Sequence, residues 1–287
     1  MTVWDGHLLF GIDHWMHLNN PTLPYTNGQH QISEDVVCSL ITPFPSSPNQ
    51  AYLEENQRIF DYVRKNPSAI AVFALNPSSP ENREAVSDFV SRQPCCGIVL
   101  WPILCRMDLS ELVRDGWFRD FMNRFSGFTY IHTGAGNEQA LGRVAKQGSY
   151  GPQQVLAVAE AFPKNKFILG HLLRLSEEEL RKAKHMDNVV LDTSLISGHQ
   201  RWFERDVNVF PAVTAGELAQ LSPGEILEKL CGEYGLGKKL VFGSSYPYCQ
   251  WWGSSYEDEL RLITEAKISQ EMKQDILQGN LQRFLGF

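Results

Sequence analysis

The amino-acid sequence predicts an α/β protein, a single (β/α)8 barrel domain over residues 1–287. Apolar, strand-like runs recur about every 30 to 40 residues, with helix-like segments between them. Most of these runs are continuously apolar, which is typical of parallel strands that are covered on both faces. The length of 287 residues also suits one barrel of the TIM type.

The eight predicted strands occupy residues 8–13, 36–42, 69–75, 97–103, 128–133, 166–171, 188–193 and 239–244. Predicted helices cover residues 49–65, 79–93, 151–162, 176–184, 222–234 and 255–266. Residues 108–126 predict one long helix, or two short ones separated near Gly116. Long segments at 18–34 and 194–221 follow the first and seventh strands. They predict extended loops at the C-terminal face, as pocket walls or plain surface loops.

Composition excludes several classes of function. A net charge of −7 disfavours nucleic acid as a partner. No apolar run is long enough for a membrane span, and residues 1–10 lack the basic region of a signal peptide. The six cysteines show no CxxC spacing, which indicates reduced thiols in a cytoplasmic protein. We therefore expect a small-molecule substrate and no membrane partner, with a homodimer as the commonest assembly of such barrels.

Polar residues with catalytic potential follow several of the predicted strands. The first strand ends in Asp13 and is followed by His14, Trp15 and His17, while the fifth and sixth strands end in His132 and His171. A single strand histidine is a weak indication, but histidines at several strand ends in one barrel predict a shared cavity. We expect His17, His132 and His171 to converge at the C-terminal face.

The eighth strand and the chain end complete a recognisable set. The segment 239–247, Lys-Leu-Val-Phe-Gly-Ser-Ser-Tyr-Pro, places Ser245 after a Gly-Ser pair, and Gly279-Asn280 precedes a short apolar helix near the C-terminus. Together with the histidine motifs, this resembles the amidohydrolase superfamily, in particular the branch of decarboxylases and lactonase-like hydrolases. The resemblance extends from residue 8 to residue 287 and implies a TIM-barrel hydrolase or lyase.

The resemblance also implies a metal site that this chain does not match in full. The family's ligands are two first-strand histidines, a fifth-strand histidine and an eighth-strand aspartate. This chain has counterparts of only two of them, His17 and His132. Trp15 stands in one histidine position and Ser245 in the aspartate position. Zinc catalysis normally needs three protein ligands, so we expect no cofactor. If a metal is bound, His17 and His132 are the expected ligands, or a shifted His14/His17 pair with zinc.

Without a metal, the chemistry must rest on side chains. Residues expected to carry a proton or act as nucleophile are His17, His132, His171, Asp13 and Ser245. Ser245 can be a nucleophile only where a histidine comes within hydrogen-bond reach. Residues expected to line a pocket for a flat acid are Trp15, Trp101, Arg174, Asp192, Ser194 and Tyr246.

Three functions remain open at this point. The first is metal-independent hydrolysis of a C–N, lactone or related bond, or a lyase reaction, on a small cyclic or aromatic acid. The second is a non-catalytic barrel that only binds a ligand. The third is a metal-dependent hydrolase that uses the shifted His14/His17 pair. Fold similarity does not choose among them.

Overall fold

The computed structural model describes residues 2–10, 36–43, 51–93, 95–133, 150–199 and 216–287, without the side chains of 251 and 252. Eight strands form one parallel sheet in chain order. Their bounds are β1 Val3–Phe10, β2 Val36–Pro43, β3 Ala69–Ala74, β4 Cys96–Leu100, β5 Phe128–Ile131, β6 Lys166–Leu169, β7 Val189–Asp192 and β8 Leu240–Val241.

Backbone hydrogen bonds between β1 and the end of β8 close the sheet into a barrel. Gly6 N–H donates to Phe242 O at 2.8 Å, Ser245 N–H to His7 O at 2.8 Å and Leu9 N–H to Tyr246 O at 2.9 Å. The sheet therefore has no open edge between its first and last strands. This confirms the predicted (β/α)8 barrel.

Helices follow the strands as predicted. Their bounds are α1 Leu53–Val63, α2 Pro80–Arg92, α3 Leu109–Leu112, α4 Gly116–Arg124, α5 Pro152–Ala161, α6 Glu177–Ala183, α7 Pro223–Cys231, α8 Tyr256–Glu265, α9 Gln270–Gln274 and α10 Asn280–Leu285. Polar side chains cap several of them: Ser79 caps α2, and Ser222 with Glu225 forms a capping box on α7. Residues 108–126 form two helices, because Asp115 caps the second one at Phe118 N.

The first strand begins earlier than predicted. We expected it at residues 8–13, whereas β1 is Val3–Phe10, and residues 11–13 lie outside the described residues. Asp5, Gly6 and His7 interrupt the apolar pattern at this point and made the segment look unlike a buried strand. Inside the barrel the carboxylate of Asp5 and the Nδ1 atom of His7 are hydrogen-bonded, which removes most of the penalty for burying them.

The C-terminal segment stabilises the barrel at the N-terminal end of β8. Asn280 Nδ2 donates to the carbonyl oxygens of Gly237 and Leu240 at 2.8 and 2.7 Å. These bonds tie α10 to the residues that lead into β8. The Gly-Asn pair singled out in the sequence thus has a structural position at the end of the barrel opposite the strand C-termini.

Two further observations concern expectations from composition. None of the six cysteines forms a disulfide. Among the described residues, no helix combines the length and the apolar composition needed to cross a bilayer. The predicted loop 18–34 lies outside the described residues, as do 200–215 of the predicted loop 194–221.

Candidate functional site

A polar cluster lies inside the barrel, on β1 and at or near the C-terminal ends of β5 to β8, and all its members except the partly exposed His132 are buried. Parallel strands bring these ends to one face, so residues far apart in the sequence meet there. The members of the cluster, in chain order, are Asp5, His7, Tyr130, His132, His171, Asp192, Ser194, Ser244 and Ser245.

Asp192, at the end of β7, is the centre of this cluster. Its carboxylate accepts the backbone N–H of Ser194 at 2.5 Å and the Ser194 hydroxyl at 2.8 Å. The Tyr130 hydroxyl donates to Oδ2 in a short hydrogen bond, and His7 Nδ1 lies 3.3 Å from the same oxygen. Burial opposes ionisation of Asp192, but the hydrogen bond and charge of His7 outweigh it, and its pKa falls to about 2. Asp192 is therefore an anion that only accepts hydrogen bonds.

This anion fixes which nitrogen of each neighbouring imidazole carries a proton. The Ser194 hydroxyl donates its hydrogen bond to Asp192. Towards His171 Nδ1, 2.8 Å away, the same oxygen can therefore only accept. The Ser194 carbonyl oxygen, 3.3 Å from the same nitrogen, also only accepts. His171 is thus protonated on Nδ1. Burial lowers the pKa of His171 to about 3, so the ring is neutral at pH 7 and Nε2 is a bare lone pair.

The same assignment applies to His7 on β1. The Tyr130 hydroxyl donates to Asp192 and therefore accepts from His7 Nδ1 at 2.9 Å. In its neutral form His7 then also carries its lone pair on Nε2. The Nε2 atoms of His7 and His171 are both buried and have no hydrogen-bond partner among the described residues. Buried polar atoms of this kind are rare without a ligand, a water or an ion to satisfy them.

Ser245 meets the geometric condition for a nucleophile but not the chemical one. Its hydroxyl oxygen lies 2.8 Å from His7 Nδ1, within hydrogen-bond reach. That nitrogen already carries a proton, as its contacts with Asp192 and Tyr130 require. It cannot remove the proton of Ser245, so Ser245 accepts a hydrogen bond from His7 and helps to orient the ring.

Asp5 joins β1 to β8 directly beneath these residues. Its carboxylate accepts the Ser244 hydroxyl at 2.6 Å and the backbone N–H groups of Ser244 and His7, both at 3.0 Å. Burial raises the pKa of Asp5 to about 6, and these hydrogen bonds limit the rise. Asp5 thereby fixes the backbone on either side of the His7–Ser245 contact.

His132 and Arg174 lie beside His171. The His132 ring packs edge-on against the His171 ring, with centroids 4.6 Å apart. Part of His132 is exposed, yet burial of the ring lowers its pKa well below the usual value, and positive charge at His171, His7 and Arg174 acts in the same direction. Arg174 is buried, and burial lowers the pKa of its guanidinium to about 9. A buried cation therefore lies within electrostatic reach of both imidazoles.

Two glycines allow the cluster to pack this closely. A Cβ on Gly243 would collide with Asp192 Oδ1, and one on Gly170 would lie 2.5 Å from the Tyr130 hydroxyl. His171 itself has φ 51° and opens a run of positive-φ residues through Leu175. Such left-handed backbone is costly for residues other than glycine and occurs most often at functional sites.

The structure places the predicted site residues as follows. His132, His171, Asp192, Ser194 and Ser245 are brought together. Trp101 is buried against Tyr52, with ring centroids 5.4 Å apart, and Tyr246 is half-buried beside Tyr256. Outside the described residues lie Asp13, His14, Trp15 and His17.

Four members of the cluster were missed in the sequence: Asp5, His7, Tyr130 and Ser244. A signal was present for the first three. Asp5 and His7 are two residues apart, and so are Tyr130 and His132. Residues at this spacing in a strand share one face, so each pair points into the same interior.

A divalent metal fits this cluster. His7, His171 and Asp192 each offer one ligand atom, either ring nitrogen of a histidine or a carboxylate oxygen, and one such set of atoms lies within 4.8 Å of one another. Two imidazoles and a carboxylate form a donor set that zinc and manganese accept. The Nδ1 atoms are held by oxygen acceptors, and metal-binding histidines usually have this second contact. The expectation that no cofactor is needed is not supported by this donor set.

Comparison with known proteins identifies the relationship. The family model Amidohydro_2, described as amidohydrolase, matches residues 128–287. The chain belongs to the amidohydrolase family. The matched part of this amidohydrolase contains β5 to β8, and therefore all members of the cluster except Asp5 and His7. No curated protein sequence matches the chain.

Solved structures share the fold over nearly the whole chain. 2,6-Dihydroxybenzoate decarboxylase from Rhizobium is 10% identical with a TM-score of 0.60, covering 100% of this chain and 99% of that one. A dihydroxybenzoic acid decarboxylase from Polaromonas sp. JS666, with bound manganese and 2-nitroresorcinol, is 12% identical with a TM-score of 0.61, covering 99% and 97%. Dihydroorotase from Saccharomyces cerevisiae, in complex with 5-fluoroorotic acid, is 12% identical with a TM-score of 0.59, covering 100% and 84%.

Proposed function

We propose that this amidohydrolase is a metal-dependent enzyme that hydrolyses a C–N or lactone bond in a small cyclic or aromatic acid. One observation carries the proposal: the Nε2 atoms of His7 and His171 are buried without a described partner, and Asp192 fixes the proton of each ring on the opposite nitrogen. Imidazoles arranged in this way are ready to donate an electron pair.

The metal is the ligand that this arrangement suits best. His7 and His171 would hold it, and Asp192 would keep both rings in the required tautomer or add an oxygen ligand. When bound, such a metal lowers the pKa of a coordinated water to about 7 and polarises a carbonyl group. A metal-free mechanism with His171 as general base is less well supported, since a ring that stays unprotonated so far below neutral pH accepts protons poorly.

The substrate class is supported by charge and by the structural neighbours. Arg174 is a buried cation beside His171 and His132 and suits a carboxylate. The neighbours include enzymes named for dihydroxybenzoates and a dihydroorotase with bound 5-fluoroorotic acid, all of which concern small cyclic acids. Arg174 would hold the acid group while the bond to be cleaved faces the two Nε2 atoms.

Decarboxylation is the second candidate reaction. It is favoured by the decarboxylases among the structural neighbours, one of which contains manganese. The same site would serve both reactions, since each needs an acid held next to a metal. Release of CO2 separates decarboxylation from hydrolysis, which adds water across the cleaved bond and loses no carbon.

The experiment begins with the metal. Protein stripped with chelator is titrated with Mn²⁺ and with Zn²⁺ by calorimetry, and we expect about one ion per chain. His7→Asn and His171→Asn should each weaken binding at least about 100-fold, and the exposed His185→Asn, the matched control, should leave it unchanged. Binding of equal affinity in all four proteins would refute the assignment of the ligands.

Activity is tested separately with the metal-loaded protein. A panel of cyclic amides, lactones and hydroxybenzoates is assayed by chromatography for the hydrolysed product and, separately, for CO2 release. We expect turnover that requires both the metal and His171. A protein that binds metal and panel acids without converting any of them would instead support the non-catalytic barrel.

A further inference from the structure

A second buried carboxylic acid lies behind the site, on helix α8. Glu259 is 2% exposed. Its Oε1 accepts the hydroxyl of Ser254 at 2.7 Å and, in a short hydrogen bond, the hydroxyl of Ser197. The two serine hydroxyls also lie 2.6 Å from each other. Ser197 and Ser254, which are 57 residues apart in the sequence, therefore meet at a single oxygen atom of Glu259.

These three residues belong to the segments that follow the last two strands. Ser197 lies in the 3-10 turn Ile196–Gly198 after β7, and Ser254 follows the 3-10 turn Tyr248–Trp252 after β8. Leu195 and Cys249 pack against each other between the same two segments. Glu259 thus fastens the turn after β7 to the segment after β8.

The fastened turn leads directly into the site. Ser194, three residues before Ser197, supplies both oxygen atoms that contact His171 Nδ1. Its hydroxyl and backbone N–H are also bonded to Asp192. A displacement of the turn by even 1 Å would lengthen these contacts beyond hydrogen-bond range. The proton on His171 Nδ1 would then lose its acceptors.

We propose that Glu259 is a positioning residue of the active site: through Ser197 and Ser254 it holds Ser194 in place, and Ser194 keeps His171 in the Nδ1–H tautomer. The inference rests on the proposed function in one respect, namely that the bare Nε2 of His171 is the working atom. Glu259 itself touches neither His171 nor His7 among the contacts of the described residues.

The pKa of Glu259 responds to burial and to the charge of the site residue Asp192. Burial raises the pKa of Glu259 to about 7, the hydrogen bonds from Ser197 and Ser254 limit the rise, and the charge of Asp192 adds to it. In the described part of the chain, Asp192 on β7 and Cys249 in the segment after β8 interact electrostatically with it from the neighbouring elements. The ring nitrogens of His199 face carbonyl oxygens instead, with Nδ1 3.0 Å from Ile196 O and Nε2 2.9 Å from Leu221 O.

The tautomer of His171 can be measured directly. Protein labelled with 15N-histidine is compared by long-range 1H–15N NMR as wild type, Glu259→Ala and Glu259→Gln, all free of metal. In the wild type we expect His171 to show a protonated Nδ1 and a bare Nε2. Glu259→Ala should move both nitrogen shifts towards the average of two tautomers. Glu259→Gln keeps an oxygen acceptor in the same shape and should restore the wild-type pattern.

Hydrogen exchange and two controls complete the test. Backbone amides of Ser194 to Gly198 should exchange at least about tenfold faster in Glu259→Ala. Glu257→Ala, an exposed glutamate on the same helix, should behave as wild type. If Glu259→Ala does not fold, Ser197→Ala and Ser254→Ala remove the two donors singly and should each give part of the same change.

The proposal is overturned if folded Glu259→Ala, or both serine variants, keep the wild-type His171 shifts. This result does not depend on the metal: the protein could fail to bind Mn²⁺, which would contradict the proposed function, and still show the tautomer change. Conversely, the wild type could bind metal while the NMR shifts of His171 stay the same in the Glu259 variants. That result would contradict only the positioning role.

Discussion

Asp192→Asn is the substitution that should disturb the site most for the smallest change in shape. Asparagine keeps one oxygen but replaces the other with an NH2 group that donates. Asp192 Oδ2 receives the hydroxyls of Tyr130 and Ser194, and His7 Nδ1 lies 3.3 Å away. If the NH2 group takes the place of Oδ2, it faces the two hydroxyl donors. If it takes the place of Oδ1, the hydrogen bond from the Ser194 backbone N–H is lost.

The expected cost follows from the hydrogen bonds. Bonds to a charged group contribute about 1.5–3 kcal/mol each, and breaking a buried charged pair costs about 3–5 kcal/mol. Several bonds change at once but the side chains can adjust in part, so we expect the free energy of unfolding to fall by about 3 kcal/mol. Metal affinity should fall about 10- to 100-fold, the usual effect of removing the partner of a ligating histidine.

Urea unfolding at pH 7 measures the first quantity and calorimetry with Mn²⁺ the second. Asp187→Asn is the matched control, because Asp187 is exposed just before β7. The reasoning would be refuted if Asp192→Asn matched this control in both measurements. It would also fail if the His171 tautomer in Asp192→Asn were that of the wild type, since Asp192 is the anion from which the assignment starts.

Three other outcomes are expected. Gly243→Ala should lower both stability and metal affinity, because its Cβ would strike Asp192 Oδ1, whereas Gly224→Ala, with open space around it, should not; urea unfolding and calorimetry check both. Asn280→Ala should cost about 2–3 kcal/mol of unfolding free energy with metal affinity unchanged, since it leaves the carbonyls of Gly237 and Leu240 unpaired far from the site. Glu259→Gln should flatten the pH dependence of stability. In the wild type the raised pKa means that the contribution of Glu259 to the free energy of unfolding is complete below about pH 4.5. This contribution falls by roughly 3 kcal/mol as the pH rises to about 7. Urea unfolding at a series of pH values over that range measures it.

Much of the fold could be predicted, because the spacing of apolar residues along the sequence indicates which segments are buried. The strands from β2 to β7 and most helices lie where apolar runs and capping residues placed them. β1 could not be placed in this way, because its two buried polar residues are stabilised by partners from the other end of the chain. Ser244, which bonds to Asp5, is 239 residues away. No local pattern contains that information.

The site was predictable to a similar extent. His132, His171, Asp192, Ser194 and Ser245 stand at strand ends in the sequence, so the topology of parallel strands is enough to bring them together. Their roles were not predictable, because they depend on which atom faces which. The sequence suggests His171 as a base, and only the contacts of Ser194 with Asp192 reveal that its free nitrogen is Nε2.

The position of the carboxylate changes the interpretation of Ser245. The resemblance places an aspartate at residue 245, and its replacement by serine suggested that the metal site had been lost. In the structure Ser245 and Asp192 both lie within reach of His7 Nδ1, at 2.8 and 3.3 Å. The anion beside the first-strand histidine is thus supplied by β7, the strand adjacent to β8 in the barrel. A charge contributed from the next strand can fix the histidine tautomers as well as one at residue 245 would. The serine is therefore compatible with a metal-dependent enzyme, and the metal titration of His7→Asn and His171→Asn is the measurement that decides whether it is one.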